Sequence, residues 1–225
     1  MKAVIGLSGG MDSATLLGVL LEQSYEVHCV MFTYGSKHNE HENRAAMKLF
    51  HFYKDKGFNV TPHYIDLEGV FRPFKSNLLK SGGEIPEGHY QQENMKLTVV
   101  PGRNLIFASI MAGLAESIGA DLVALGVHAG DHAIYPDCRK EFIDSLKTTL
   151  ARSSDNKVTV YTPFISMDKA AILEIGMNLT TKTPYELTRT CYKNQAYACG
   201  KCGSCVERLE AFEKLNLKDP IEYEG

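Results

Sequence analysis

The chain has 225 residues, 44% of them hydrophobic and 23% charged, with a formal net charge of −3. The length suits one domain with a small appendage, and the composition is that of a globular protein with a sizeable core. The slightly acidic balance excludes a protein that grips nucleic acid through a broad basic face, and leaves open a local basic pocket for a small anion.

Residues 2–7 predict a buried strand and 12–23 the helix after it. A second strand is predicted over 26–34, a second helix over 40–57, and a third strand over 59–67, weakened by Pro62. The segment 68–98 holds Gly82, Gly83, Pro86 and Gly88 and reads as a long loop, a candidate lid. A helix over 103–118, a strand over 121–127, a helix over 138–151, a strand over 157–163 and a helix over 168–178 follow. Apolar strands alternating with helices predict an α/β fold, a doubly wound parallel five-stranded sheet covered on both faces. The first ten residues, with one lysine and a short apolar run, do not read as a signal peptide. The longest apolar stretch, 105–115, falls short of the roughly 20 residues that span a bilayer. A cytoplasmic protein with no membrane partner is expected, where the six cysteines need an explanation other than disulfides.

In such sheets ligands bind beyond the carboxyl ends of the strands. The first predicted strand ends at Leu7 and runs into Ser8-Gly9-Gly10-Met11-Asp12-Ser13. The glycines let the backbone approach a ligand, the helix start offers free N–H groups and a partial positive charge, and Ser8 and Ser13 add hydroxyl donors. This is the make-up of a phosphate-binding turn, although the lysine of a P-loop is missing. Asp12 either caps the helix or helps to hold a magnesium ion.

Near the other end, Cys191, Cys199, Cys202 and Cys205 are spaced C-x7-C-x2-C-x2-C. Four cysteines within fifteen residues suit a closed structural zinc site, one per chain, with an iron–sulfur cluster as the alternative. Thiol catalysis needs one or two exposed thiols rather than four together. The chain therefore divides into a main domain over 1–185 and a zinc-binding tail with a helix over 186–225. Cys29, inside an apolar strand, reads as plain core.

The motif S-G-G-x-D-S directly after the first strand resembles the pyrophosphate loop of the ATP pyrophosphatases. With the cysteine cluster, "VPGRN" at 100–104, "YPDCR" at 135–139, "TP" and "DKAAI" within 162–172 and "TCY" at 190–192, all in the same order, the chain resembles the 7-cyano-7-deazaguanine synthase family from about residue 3 to 213. The resemblance implies an ATP-dependent ligase. It adenylates the carboxylate of 7-carboxy-7-deazaguanine, takes ammonia to the amide, and activates the amide again to leave the nitrile. The lysine-free loop would then cradle a leaving pyrophosphate. ATP, with magnesium, would lie along Leu7, Ser8, Gly9, Gly10, Met11, Asp12, Ser13, Ala14 and Thr15 and against Phe32. Ser8, Asp12, Ser13, Arg103 and Lys169 are the catalytic candidates, the last two supplying the charge the loop lacks. Arg103, Asn104, Asp131, Tyr135, Asp137 and Arg139 are the candidates for the deazaguanine acid. Its N–H and amino group side by side suit one carboxylate, Asp131 or Asp137, and its ring suits Tyr135. Asp137 alternatively caps the helix predicted at 138. A homodimer without a nucleic-acid partner is expected.

The chain departs from the family's usual pattern at Ala133-Ile134, at Ser36 and at Arg189, all near the presumed base pocket. Three readings follow: the nitrile-forming synthase; a relative that stops at the amide or joins the acid to another amine, even a protein amine; and a non-catalytic, zinc-stabilised nucleotide-binding module. The intact Ser8, Asp12 and Ser13 argue against the last. His38 and His41 with Glu40 and Glu42 read as solvated polar residues at a helix entrance rather than as a second metal set.

Overall fold

In the computed structural model, which describes residues 1–90 and 92–224, five strands form one parallel sheet. They are β1 (Lys2–Gly6), β2 (Glu26–Thr33), β3 (Val60–Asp66), β4 (Leu122–Ala124) and β5 (Thr159–Tyr161), in the order β3-β2-β1-β4-β5. Because β1 sits between β2 and β4, the strand order reverses at β1. The chains leaving β1 and β4 turn to opposite faces there and open a crevice.

Among the described residues seven α-helices accompany the sheet: α1 (Met11–Glu22), α2 (Asn39–Asp55), α3 (Glu68–Phe71), α4 (Arg103–Ile118), α5 (Lys140–Ser153), α6 (Lys169–Asn178) and α7 (Gly203–Lys214). Successive side chains of a strand point to opposite faces. Ala3 and Ile5 of β1 therefore pack with residues of α1, α2 and α6, while Val4 packs with α4 and α5. Burial on both faces is why the strands read as continuous apolar runs. Pro62 is accommodated because β3 is an edge strand, one side of which needs no ladder partner. Cys29 is buried core, and burial pushes its thiol up to about 12.

β4 and β5 are shorter than predicted, since the backbone beyond Ala124 leaves the sheet to wall the crevice; Gly126 packs on the backbone of Asp12 and Ser13. The segment 68–98 is a long connection, as expected, but not a free lid. Leu78, Leu79, Tyr90 and Met95 bury into the cluster beneath α4, and backbone bonds such as Lys37 N–H to Leu78 O (2.8 Å) hold it down. By length and composition Glu93–Ile118 is apolar enough to cross a membrane. It is interrupted before α4 by Gly102 at φ 65°, and α4 lays Ala108, Met111 and Ala115 onto the sheet.

The tail from 186 onward packs directly against the sheet domain. Ala211 and Phe212 of α7 bury with Met11, Ala170 and Leu173. Arg208, 0% exposed, forks onto Asp219 at 2.7 and 2.8 Å, a bidentate pair that fixes the last residues against α7.

Candidate active site

The crevice between β1 and β4 deepens into a cavity of about 220 Å³. Its floor is the turn after β1. Ser8 Oγ and Ser13 Oγ lie 3.1 Å apart, and Ser8 Oγ accepts from the Gly10 N–H at 3.3 Å, so both hydroxyls are gathered at the start of α1. Gly9 has φ 83°, and a Cβ there would lie 2.7 Å from the Glu42 carbonyl oxygen. Only glycine lets this turn press against α2. Gly10, not Asp12, is the N-cap residue of α1, which removes the capping role considered for Asp12.

Asp12 instead reaches across to Lys169, the first residue of α6. The ammonium donates to Asp12 Oδ2 at 3.1 Å and lies 2.9 Å from Glu207 Oε2 of α7. Lys169 is 6% exposed, not a surface cation. Burial works to lower its pKa, and the carboxylates of Asp12, Glu207 and Asp131 outweigh it and hold the ammonium above the ordinary lysine range. Burial likewise works to raise Asp12, and Lys169 and His128 outweigh it and hold the carboxylate below its usual range. His128 accepts from the Gly130 N–H through Nδ1, which leaves the proton on Nε2 in the neutral ring. That atom stands 3.6 to 3.9 Å from Asp131, Asp12 and Glu207, buried behind the acidic side of the cavity.

The opposite wall is aromatic. Phe32 stacks on Phe107 at 4.0 Å between ring centroids. Arg103, at the start of α4, donates to the Tyr34 hydroxyl at 3.2 Å and lies over the Tyr34 and Tyr135 rings. Tyr135 shares a hydrogen bond with Thr98 (2.9 Å), and Tyr90 with Tyr192. Burial pushes all three phenols up, so they serve as neutral donors and acceptors. A planar ring among these faces, beside a guanidinium that stays charged, is what the wall is shaped to take.

The cavity thus gathers Leu7, Ser8, Gly10, Asp12, Ser13, Phe32, Arg103, Asn104, Asp131, Tyr135 and Lys169 from the sequence expectations. Met11, Ala14 and Thr15 turn their side chains into the interior, Thr15 Oγ1 onto the Tyr185 hydroxyl at 2.7 Å. Asp137 and Arg139 lie outside the lining. Asp137 Oδ2 accepts from the Asn104 N–H at 2.9 Å, so it caps α4 rather than a helix at 138, and Arg139 donates to the His132 carbonyl. Ile134 is buried in the core beneath α5, away from the cavity.

His38 and Glu42 are not solvated, contrary to the sequence expectation. His38 is 1% exposed, pairs with Glu42 at 3.4 Å and packs its ring against Tyr192, and both line the cavity. Their i,i+4 spacing in a helix entering from a strand end was the available signal. Arg189, flagged as a departure near the presumed base pocket, does line the cavity; Tyr90, Tyr192, His128 and Glu207 were missed, although Tyr192 directly follows Cys191.

The four cysteine sulfurs lie within 4.8 Å of one another, with Cys199 and Cys205 3.9 Å apart. A tetrahedral ion with bonds near 2.3 Å separates its sulfurs by about 3.8 Å, so the set can hold one metal ion. The Cys202 contact, with the amides of Lys201 and Cys202, draws the Cys199 thiol down to about 6. No other such set occurs among the described residues.

A family model described as queuosine biosynthesis protein QueC matches residues 2–216. The chain is 43% identical to the 7-cyano-7-deazaguanine synthase of Pseudoalteromonas atlantica over 226 residues, 99% of each chain. It is 44% identical to that of Caldicellulosiruptor saccharolyticus, over 100% of this chain and 96% of the relative, and 41% identical to that of Methanoregula boonei, over 100% of both. Among solved structures, the U34-tRNA thiolase NcsA of Methanococcus maripaludis, determined with its 4Fe-4S cluster, has the same fold at TM-score 0.50 and 15% identity, over 96% of this chain and 67% of that one.

Proposed function

This chain belongs to the QueC family of queuosine biosynthesis proteins, and on that premise we propose that it is an ATP-dependent ligase converting 7-carboxy-7-deazaguanine and ammonia to 7-cyano-7-deazaguanine. The observation that carries the reading is the meeting of three parts in one cavity: a lysine-free phosphate turn over 8–13, a buried Lys169, and an aromatic wall with Arg103.

Each part has a task in that reaction. The substrate carboxylate oxygen attacks the α-phosphorus of ATP, and pyrophosphate leaves toward the N–H groups at the start of α1 and the hydroxyls of Ser8 and Ser13. Lys169 supplies a fixed positive charge beside them. Ammonia attacks the acyl carbon, AMP leaves, and the amide remains. A second ATP activates the amide oxygen, whose departure with AMP leaves the nitrile. Tyr90, Tyr135 and Tyr192 hold the deazapurine ring, Arg103 its carboxylate, and Asp131 its N–H and amino edge.

Magnesium accompanying ATP would be held with Asp12, whose Oδ1 is buried and without a hydrogen-bond partner among the described residues. Zinc is the ion we assign to the four cysteines, because sulfurs within 4.8 Å suit one ion better than a cube in which each thiolate binds a different iron. It would fix the tail and take no part in chemistry. A homodimer in the cytoplasm completes the reading.

Mass spectrometry of the products from ATP, 7-carboxy-7-deazaguanine and ammonia tests it. AMP, pyrophosphate and the nitrile are expected. Accumulated amide without nitrile would assign the chain to an amide-forming relative, and ADP with phosphate and no AMP would overturn adenylation.

A further inference from the structure

The helix that follows the cysteines also reaches the ATP side of the cavity. α7 has Cys202 as its N-cap residue and Cys205 in its first turn, and Glu207 stands two positions further on. The neighbouring Arg208 is fully buried. Besides its fork onto Asp219, it donates to Thr188 Oγ1 at 2.6 Å and to the Tyr185 carbonyl at 3.1 Å. The helix is therefore pinned on both sides of Glu207, and the carboxylate has a fixed place.

That place is 2.9 Å from the Lys169 ammonium, with Asp12 Oδ2 at 3.1 Å as the second partner. An ammonium carries three N–H donors. One is donated to Asp12 Oδ2, while Glu207 Oε2 faces the ammonium as an ion pair without a hydrogen bond among the described residues; Lys169 lines the cavity, so donors remain for whatever the cavity holds. Gly130 makes the arrangement possible. A Cβ at 130 would lie 2.1 Å from Glu207 Oε1, and the φ of Gly130 is outside the left-handed region, so the missing side chain serves space rather than backbone freedom. A carboxylate this close to a polyphosphate site works against ATP binding by its charge. Holding the cation accounts for its presence.

We propose that Glu207 is a positioning residue for the adenylation step, fixing the Lys169 ammonium by charge between itself and Asp12 so that its remaining N–H donors face the polyphosphate. This rests on the ATP-dependent reading above.

Glu207→Gln keeps the size of the side chain and removes its charge. We expect kcat to fall between about tenfold and a hundredfold, as for a misplaced catalytic group, while KM for ATP does not rise and the metal content equals that of the parent. Gly130→Ala, whose Cβ would crowd Glu207 Oε1 and also the His128 ring at 2.8 Å without removing either, should lower kcat as well. In protein labelled with 15N-lysine, the ammonium resonance of Lys169, assigned by its loss in Lys169→Met, is present in the parent and lost or displaced in Glu207→Gln. Unchanged kcat together with an unchanged resonance overturns the proposal. So does a rise in KM for ATP with loss of metal, because Glu207 then serves only the fold. Failure of the functional reading shows separately: the parent forms no AMP from this acid, while the lysine resonance still reports whether Glu207 holds Lys169.

Discussion

The peptide N–H of Arg189 donates to the carbonyl of Gly9 at 2.8 Å, so the strand of chain entering the cysteine cluster is bonded to the backbone of the phosphate turn. Two residues on, Cys191 belongs to the four-sulfur set, and Ser204 Oγ ties the same segment to α7 through the Thr190 carbonyl at 2.7 Å. The four-sulfur set and the turn proposed to hold ATP share these bonds. Cys202→Ser is therefore expected to lower the metal bound per chain and the soluble yield, because a structural site contributes folding free energy directly. The fraction that stays folded should bind ATP more weakly than the parent. Metal analysis and calorimetry check both points, and a metal-free protein with normal ATP affinity would speak against the linkage.

Much of this was legible in the sequence. The turn from Ser8 to Ser13 is local, and two glycines between a strand and a helix carry their geometry in a few residues. The cysteine set is local too. What was not legible is built from long loops and distant pairings. Lys169 finds Asp12 157 positions away, and Glu207 reaches the same ammonium only after α7 folds over α6. Asp137 was legible as a cap but not as the cap of α4, since its partner Asn104 lies 33 positions earlier. His38 sits at a helix entrance, where polar residues are mostly solvated. Its i,i+4 spacing to Glu42 is a local sign of the pair, but Tyr192, which covers His38, comes from the cysteine segment, and nothing nearby announces that cover.

The Asp12–Lys169 pair sets a pH expectation. Asp12 is held below its ordinary value of 3.8, so its contribution to stability is present above that value and is lost as the pH falls through the lower, folded value. Lys169 is held above 10.5, so its contribution is complete below that value and is lost as the pH rises through the higher, folded value. Between about pH 5 and pH 9 neither group titrates in the parent. In Lys169→Met the burial that works to raise Asp12 is no longer opposed by the ammonium, so the difference in thermal unfolding between parent and variant should narrow as the pH falls and the variant's Asp12 is neutralised. A difference that stays constant as the pH falls toward about 4 would mean that Lys169 does not hold Asp12 down.

Asp12→Ala removes the partner of Lys169 and the buried Oδ1 assigned to magnesium. The AMP-forming rate is expected to drop at least about a hundredfold, the scale of one lost preorganised electrostatic group. Single-turnover measurement with saturating ATP checks it, and a change confined to KM would place Asp12 in binding alone.

Asp137→Ala should act on stability. It deletes the acceptor of the Asn104 N–H at the first turn of α4, which costs about 1 kcal/mol, or roughly 2–4 °C in Tm for a chain of this size. Affinity for the deazaguanine acid should stay close to that of the parent, since Asp137 does not line the cavity. Calorimetry with that acid distinguishes the two effects.

The remaining carboxylate of the loop after β4 is the stronger candidate for reading the base. Asp131 lines the cavity, follows β4 at the rim that also carries the phosphate turn, and lies 3.6 Å from His128 Nε2 rather than in a hydrogen bond to it. A carboxylate so placed is free to accept the paired N–H and amino donors of a guanine-like edge. The buried Tyr135, in the same loop, offers the ring a face, and Arg103 over that face offers the acid a charged fork. Asp131→Ala leaves those two donors without an acceptor in the bound state, a loss of about 2 kcal/mol and so roughly thirtyfold in affinity for 7-carboxy-7-deazaguanine. ATP affinity should change far less, because Lys169 keeps Asp12 and Glu207 as its nearest partners. Calorimetry with each ligand separately is the measurement. If the acid binds Asp131→Ala as tightly as the parent, the reader is instead Glu42, the lining carboxylate that does not hold Lys169. Glu42→Gln should then show the loss that Asp131→Ala does not.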